Sequence, residues 1–293
     1  GGLGTFEPTE IGPAEMQESN GVIDILAENE AQATQLAKQL LSYFQGVTSS
    51  WSAADQELLR DIIPKDRRWA YSVRDIIQII ADEGSFLEIR RVYGRNIITG
   101  FMRLEGRPVA LIANDCQQMG GAVDSVSAEK AAQFLNICNA FKLPLVSLTD
   151  TPGFMVGPDS EKEGAVRKMA SLFIAGAALK SPVVAIFLRK GYGLGAMAMV
   201  GGSFLDPLYS AAWPTGEFGA MGLEGAVKLG FKKELDSEKD PEQRAELYDE
   251  LVARMYDAGK ATEMASHLEI DAVIDPAATR EFIIKALHAI QLS

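Results

Sequence analysis

The chain has 293 residues, 47% hydrophobic and 23% charged, with a formal charge of −12, the make-up of a globular protein with a large core. Forty acidic side chains against 28 basic ones, with no basic tract, argue against nucleic-acid binding and against a broad polyphosphate site on this chain alone. No apolar run reaches the roughly 18 residues of a membrane helix, and two cysteines, Cys116 and Cys138, make no disulfide framework.

Residues 1–20 are rich in Gly, Pro and Glu and read as a linker; the chain opens Gly-Gly-Leu-Gly, as a fragment or processed piece would. "VIDIL" predicts a strand over 22–26. Ala33, Leu36, Ala37, Leu40, Leu41 and Phe44 recur at helical spacing and predict a helix over 29–44. A polar stretch, 46–69, follows, with Arg67 and Arg68 read as surface or interface charges. The division is thus an N-terminal linker and strand–helix segment, 1–69, and a domain over 70–293.

From Tyr71 the rhythm changes. "SVRDIIQIIAD" predicts a helix with Ser72 as N-cap. The run from Phe86 to Asp115 predicts strands, with a hairpin turn at "LEGRPV". Helices are expected at "SAEKAAQFLNICNAF", "EKEGAVRKMASLFIAGAALK" and "AMAMVGG", with buried strands "LPLVSLTD" and "SPVVAIFL" between them. "SAAWPTGEFGAMG" gives a short strand and turn, 236–262 a long charged helical stretch, and 277–290 a final helix. A hairpin followed by strand–helix units implies an α/β core with parallel strands and right-handed crossovers. The helix at "GAVRKMASLFIAGAALK" is small and apolar all round, which predicts burial.

His267 and His288 have no Ser, Cys or carboxylate partner at a catalytic spacing, and no G-x-S-x-G elbow exists. No His, Cys and carboxylate cluster has metal-ligand spacing, so no metal is expected. The notable stretch is "RKGYGLGAM", with Gly191, Gly193 and Gly195 on a strand-to-helix turn. A dinucleotide fingerprint fails, because Ala196 stands where the third glycine belongs and no acidic residue ends a following strand. The Walker pattern lacks Gly-Lys-Ser/Thr. A second reading is an oxyanion site. Gly120–Gly121, the loop "TDTPGFMVGPDSEKEG" and the glycine turn leave the carboxyl ends of three successive strands, the edge where open parallel sheets bind ligands. Backbone amides there stabilise a developing oxyanion by roughly 3–4 kcal/mol per donor. The third reading is tight turns and close helix packing alone.

"TDTPGFMVGPDSEKEGAVRKMASL", "RKGYGLGAMAM" and "AAWPTGEFGAMGLEGAV" closely resemble the carboxyltransferase (beta) component of biotin-dependent acyl-CoA carboxylases, the acetyl-, propionyl- and methylcrotonyl-CoA carboxylase group. The resemblance extends over nearly the whole chain, including "EIGPAEMQESNGVIDIL", "LSYFQG" and "ANDCQQMGGAVDSVSAEKAAQF". Members have two crotonase-like halves, and this chain resembles the C-terminal one plus the preceding linker. The resemblance implies a crotonase-like core with a twisted, mainly parallel sheet and packed helices. It implies transfer of a carboxyl group from carboxybiotin, on a carrier protein, to the α-carbon of an acyl-CoA. The base is then the biotin ring nitrogen, which accounts for the lack of a catalytic histidine.

By motif position the resemblance implies that the Gly195 and Ala196 amides hold the biotin oxyanion. Gly120, Gly121, Pro152, Gly153 and Phe154 form the walls, and Met197 and Ala198 line the acyl end. It implies as partners an N-terminal carboxyltransferase half that grips most of the coenzyme A, a biotin carboxylase, a biotin carboxyl carrier protein, and a homo-oligomer such as a hexamer. The expected compartment is the cytoplasm, or the mitochondrial matrix in a eukaryote. The turn departs from the family: Gly-Leu-Gly-Ala-Met-Ala stands where Gly-Gly-Ala-Tyr or Gly-Ala-Gly-Asn-Tyr is usual, so Met197 replaces an aromatic, and small Ala198 with flexible Met197 suits a larger or adaptable acyl group. A biotin-dependent decarboxylase subunit and a non-catalytic assembly module are the competing readings.

Overall fold

The computed structural model describes residue 2 and residues 4–289. The N-terminal segment departs most from its pattern. A short helix, α1 (Ala14–Ser19), lies within the stretch expected to be a linker. Residues 22–26 form no strand. They lack a ladder: the Asp24 carbonyl takes the Arg90 amide at 2.7 Å, and Ile25 only leans on the core. Helix α2 (Glu30–Ser42) fulfils the next expectation, capped by Asn29, whose side chain accepts from the Gln32 amide. Tyr43 and Leu59, both before residue 70, are buried.

The Ser72 hydroxyl caps α3 (Val73–Ile80), accepting from the Asp75 amide at 3.3 Å. Then β1 (Leu87–Ile89), β2 (Ile97–Leu104) and β3 (Arg107–Asn114) pair antiparallel. The hairpin turns on Glu105 (φ 52°) and Gly106 (φ 75°), two left-handed residues that match strand twist. The Asp82 carboxylate takes both turn amides, at 3.0 and 2.7 Å.

Asp124 caps α4 (Ser125–Phe141), which starts two residues before its apolar pattern. The strand β4 (Leu145–Thr151) follows. The single helix expected at 161–180 is two, α5 (Pro158–Lys162) and α6 (Ala165–Ala178), because Gly164 takes φ 72° between them. The strand β5 (Val183–Tyr192) runs directly into α7 (Gly193–Met199), three residues earlier than expected. Then come β6 (Tyr209–Ala212), β7 (Glu217–Gly219), α8 (Leu223–Gly230) and α9 (Lys232–Ser237).

The expected helix over 236–262 is broken. Asp240 caps a new start at Pro241, giving α10 (Pro241–Ala258). Gly259 then lies against the Phe218 carbonyl and α11 (Ala261–Ser266) follows. The described residues end with β8 (Ala272–Val273) and α12 (Thr279–Ala289); the expected end at 290 lies outside them.

The sheet order is β1-β2-β3-β4-β5-β6-β8, with β7 also on β5. All pairings from β3 onward are parallel, so both faces must be covered. Alternate residues point to opposite faces. Ile98, Leu111, Val146 and Ile186 meet α3 and α12 through Ile76, Ile77 and Ile283. Ile97, Ile112 and Leu145 meet α4 and α6 through Leu135 and Leu172. Helix α6 is not buried all round: Met169, Leu172 and Ala175 face the core, while Val166 and Ile174 are each 69% exposed. No described helix is long and apolar enough to cross a membrane.

Candidate active site

Strands β3, β4 and β5 lie side by side and parallel, so their carboxyl ends release three loops at one edge. Hydrogen bonds join these loops. The Val123 amide donates to the Gly153 carbonyl at 2.9 Å, and the Met155 amide to the Val123 carbonyl at 2.8 Å. A Cβ on Gly121 (φ 86°) would collide with the Asp150 carbonyl oxygen. A Cβ on Gly195 would lie 2.6 Å from the Gly153 carbonyl carbon and 2.8 Å from the Phe154 amide nitrogen. Gly121, Gly153, Phe154 and Gly195 are therefore gathered at one place. Pro152 is half-buried beside them, and Gly120 is exposed. Ala198 is not on this surface: it is 1% exposed and belongs to the apolar core, while Met197 is half-buried.

Each glycine of the turn has a packing reason. A side chain at Gly191 would strike the Phe218 ring at 2.8 Å, and at Gly193 (φ 59°) the Ala220 carbonyl at 2.7 Å. Only Gly193 needs the left-handed conformation. The turn also carries donors. In α7 the amides of Gly193, Leu194 and Gly195 precede the first intrahelical bond. The Tyr192 side chain provides no cap.

A buried ionic group lies beneath. Asp150, fully buried near the end of β4, accepts from the Tyr71 hydroxyl at 2.8 Å, Arg189 Nε at 3.1 Å and the Lys190 amide at 3.1 Å. Arg189 Nη2 and Lys190 Nζ lie 2.9 and 3.2 Å from it. Burial, then the Asp150 charge, pushes the Tyr71 phenol well up, so it stays a donor. Arg189 also donates to the Arg67 and Trp69 carbonyls, both at 2.9 Å. Two cations thus face one buried carboxylate. Beside it, the Tyr192 hydroxyl donates to Glu217 at 2.9 Å, and burial pushes the Glu217 carboxyl up. The Arg67 guanidinium covers the Tyr256 ring at 3.3 Å from its centre.

From sequence only Arg67 among these was given a role, as a surface or interface charge; Asp150, Arg189, Lys190 and Glu217 were given none. The available signal was "TDT" and "RK" ending otherwise apolar strands, where a charge needs a partner. His267 is exposed, and its Nδ1 lies by the Glu263 carbonyl. Among the described residues no cluster of three His, Cys, Asp or Glu could hold a metal ion. Two concavities lie elsewhere: one of about 830 Å³ by Lys180, Asp206 and Tyr209, and an apolar one of about 690 Å³ between α2 and the end of α4.

A family model described as "Carboxyl transferase domain" matches residues 6–292. The chain is 37% identical over 290 residues to the methylmalonyl-CoA carboxyltransferase 12S subunit of Propionibacterium freudenreichii subsp. shermanii, covering 95% of this chain and 54% of that protein. A solved single-chain, multi-domain long-chain acyl-CoA carboxylase superposes with a TM-score of 0.90 at 50% identity, over 97% of this chain and 28% of that one. Transcarboxylase 12S, solved as a hexamer with methylmalonyl-coenzyme A and methylmalonic acid bound, superposes with a TM-score of 0.88 at 34% identity, over 99% and 57%. The chain thus spans about half the length of the curated relatives it matches. The mostly parallel sheet with packed helices is the crotonase-like fold of these carboxyltransferases.

Proposed function

The chain belongs to the carboxyl transferase domain family, and on that premise we propose that it supplies the biotin-binding half of a site for carboxyl transfer to the α-carbon of an acyl-CoA. The observation that carries this reading is the meeting of three glycine loops at one sheet edge, around amides of α7 that lack intrahelical carbonyls. Those amides suit a ureido oxygen, which needs donors and no side-chain acid. The Gly195 and Ala196 amides are the two donors of this reading. Gly120, Gly121, Pro152, Gly153 and Phe154 wall the position, Met197 borders the acyl end, and Ala198 supports that border from the core.

Carboxylated biotin, when bound, brings the carboxyl group and a ring nitrogen able to take the α-proton. The chain's own work is to hold, orient and exclude water. Asp150, Arg189 and Lys190 fix the base of the turn, and their net positive charge favours the negative charge that develops above it. We take residues 70–293 as the carboxyltransferase unit and 1–69 as a segment packed on it. The partners are an N-terminal half that binds coenzyme A, a biotin carboxylase, a biotinylated carrier protein, and copies of the same subunit in a hexamer. The placement is the cytoplasm, or the mitochondrial matrix in a eukaryote.

The test is transfer of labelled carboxyl from a carboxylated biotin carrier to a panel of acyl-CoAs, using the complete enzyme with both halves. Labelled malonyl-CoA-type product supports the reading. An assembled complex that transfers label to none of the panel overturns it.

A further inference from the structure

We propose that Lys190 is a positioning residue: its ammonium clamps the Gly120–Gly121 turn to the strand that leads into α7. Lys190 sits on β5, three residues before Gly193. Its Nζ lies 3.2 Å from Asp150 Oδ1 and donates to the Gly120 carbonyl at 2.9 Å. One side chain therefore joins the end of β4, the end of β5 and the turn after β3.

Little else holds the outer side of that turn. Gly120 adopts φ 65°, is exposed, and has no heavy atom within 4 Å of its β position. Among the described residues Lys190 makes the only side-chain hydrogen bond recorded at Gly120. Its neighbours are better fixed: the Gly121 amide reaches the Gln118 carbonyl at 2.9 Å, and Asn114 Nδ2 reaches the Gly121 carbonyl at 3.3 Å. The bridge needs an ammonium. Asp150 is already paired with Arg189, so its bond to Lys190 fixes Nζ in place and leaves further N–H groups for Gly120. A methionine has similar length and no donor. An arginine has donors, set in a rigid plane.

The kinetic part of this inference rests on the carboxyl-transfer reading; the structural part does not. The experiment compares the complete enzyme with its Lys190→Met, Lys190→Arg and Lys285→Met variants, the last an exposed control. Two quantities are read: amide hydrogen exchange over 119–122, and kcat and KM for the acyl-CoA. In Lys190→Met, exchange over 119–122 should rise by about tenfold, while the middle of α4 is unchanged. Turnover should fall by about a hundredfold, the usual cost of about 1 Å of misplacement, with KM within about twofold. Lys190→Arg should recover part of both, and Lys285→Met should match the parent.

Unchanged exchange in Lys190→Met overturns the clamp. Raised exchange with unchanged turnover in an active enzyme overturns the positioning role. A parent enzyme that transfers no carboxyl group overturns the functional reading instead, and the exchange result still decides the clamp.

Discussion

Gly195 rests its α-carbon against Gly153: an added Cβ would lie 2.7 Å from the Gly153 α-carbon and 2.6 Å from its carbonyl carbon. The obstacle is backbone on both sides, so no side chain can swing away. The first turn of α7 and the loop after β4 are therefore held at a distance that only glycine permits.

Gly195→Ala should consequently be costly although alanine favours helices. Overpacking of this kind destabilises by roughly 1–3 kcal/mol. It also shifts the α7 amides relative to the 151–155 loop, so turnover should fall by more than stability alone accounts for. Urea unfolding and steady-state kinetics on the same preparation check both parts. A variant as stable and active as its parent would show that the contact is slack.

The Asp150–Arg189 pair is fully buried, which makes its two removals unequal. Asp150→Ala leaves a guanidinium in the core without its carboxylate, a loss of about 3–5 kcal/mol. Replacing both, as Asp150→Leu with Arg189→Met, should recover much of that, since a buried ion pair is commonly no better than well-packed apolar side chains. Denaturant midpoints for the two variants decide it. A double variant no more stable than Asp150→Ala would mean that the lost bonds from Tyr71 and Lys190 matter more than the stranded charge.

Lys130 gives a pH dependence of stability. Burial pushes its ammonium down to about 7 from 10.5, although it donates to the Arg90 and Ile97 carbonyls. The unfolded chain then binds more protons than the folded one between those two values, so stability rises with pH across that window. The slope should be about 1 kcal/mol per pH unit. Urea unfolding at about pH 7 and about pH 9 should show the gain in the parent and lose it in Lys130→Met. Equal slopes in the two proteins would remove Lys130 as the cause.

Periodicity exposed much of this architecture. The apolar runs at β4 and β5, the Ser72 cap and the "LEGR" hairpin are local features and each is found at its pattern, although β5 runs on past its apolar run through Arg189–Tyr192, read as turn from the sequence. The expected strand at 22–26 failed for a non-local reason, since a strand needs a ladder and the end of β1 meets this segment only through the single Arg90–Asp24 backbone bond. The helix over 236–262 failed at Pro241 and Gly259, whose breaking effect depends on Asp240 and Phe218.

The site divides in the same way. The glycines of the three loops were visible as glycines, but their causes were not. Gly121 meets Asp150 and Gly195 meets Gly153, contacts between residues some 29 and 42 positions apart that composition cannot reveal. Asp150, Arg189 and Lys190 read as ordinary charges until the fold buried the first two together.

The central claim is that amides at the start of α7 hold a ureido oxygen, and Ala196→Pro tests it most directly. Proline deletes the Ala196 amide and fixes its φ. The measurement is steady-state kinetics on the complete reconstituted enzyme, after circular dichroism has shown that the variant folds. Loss of one aimed oxyanion donor predicts a fall in kcat of about 10²–10³, with the acyl-CoA KM little changed because coenzyme A is held mainly by the other half. Turnover within about threefold of the parent would contradict the account and leave the glycine turn as a packing device alone.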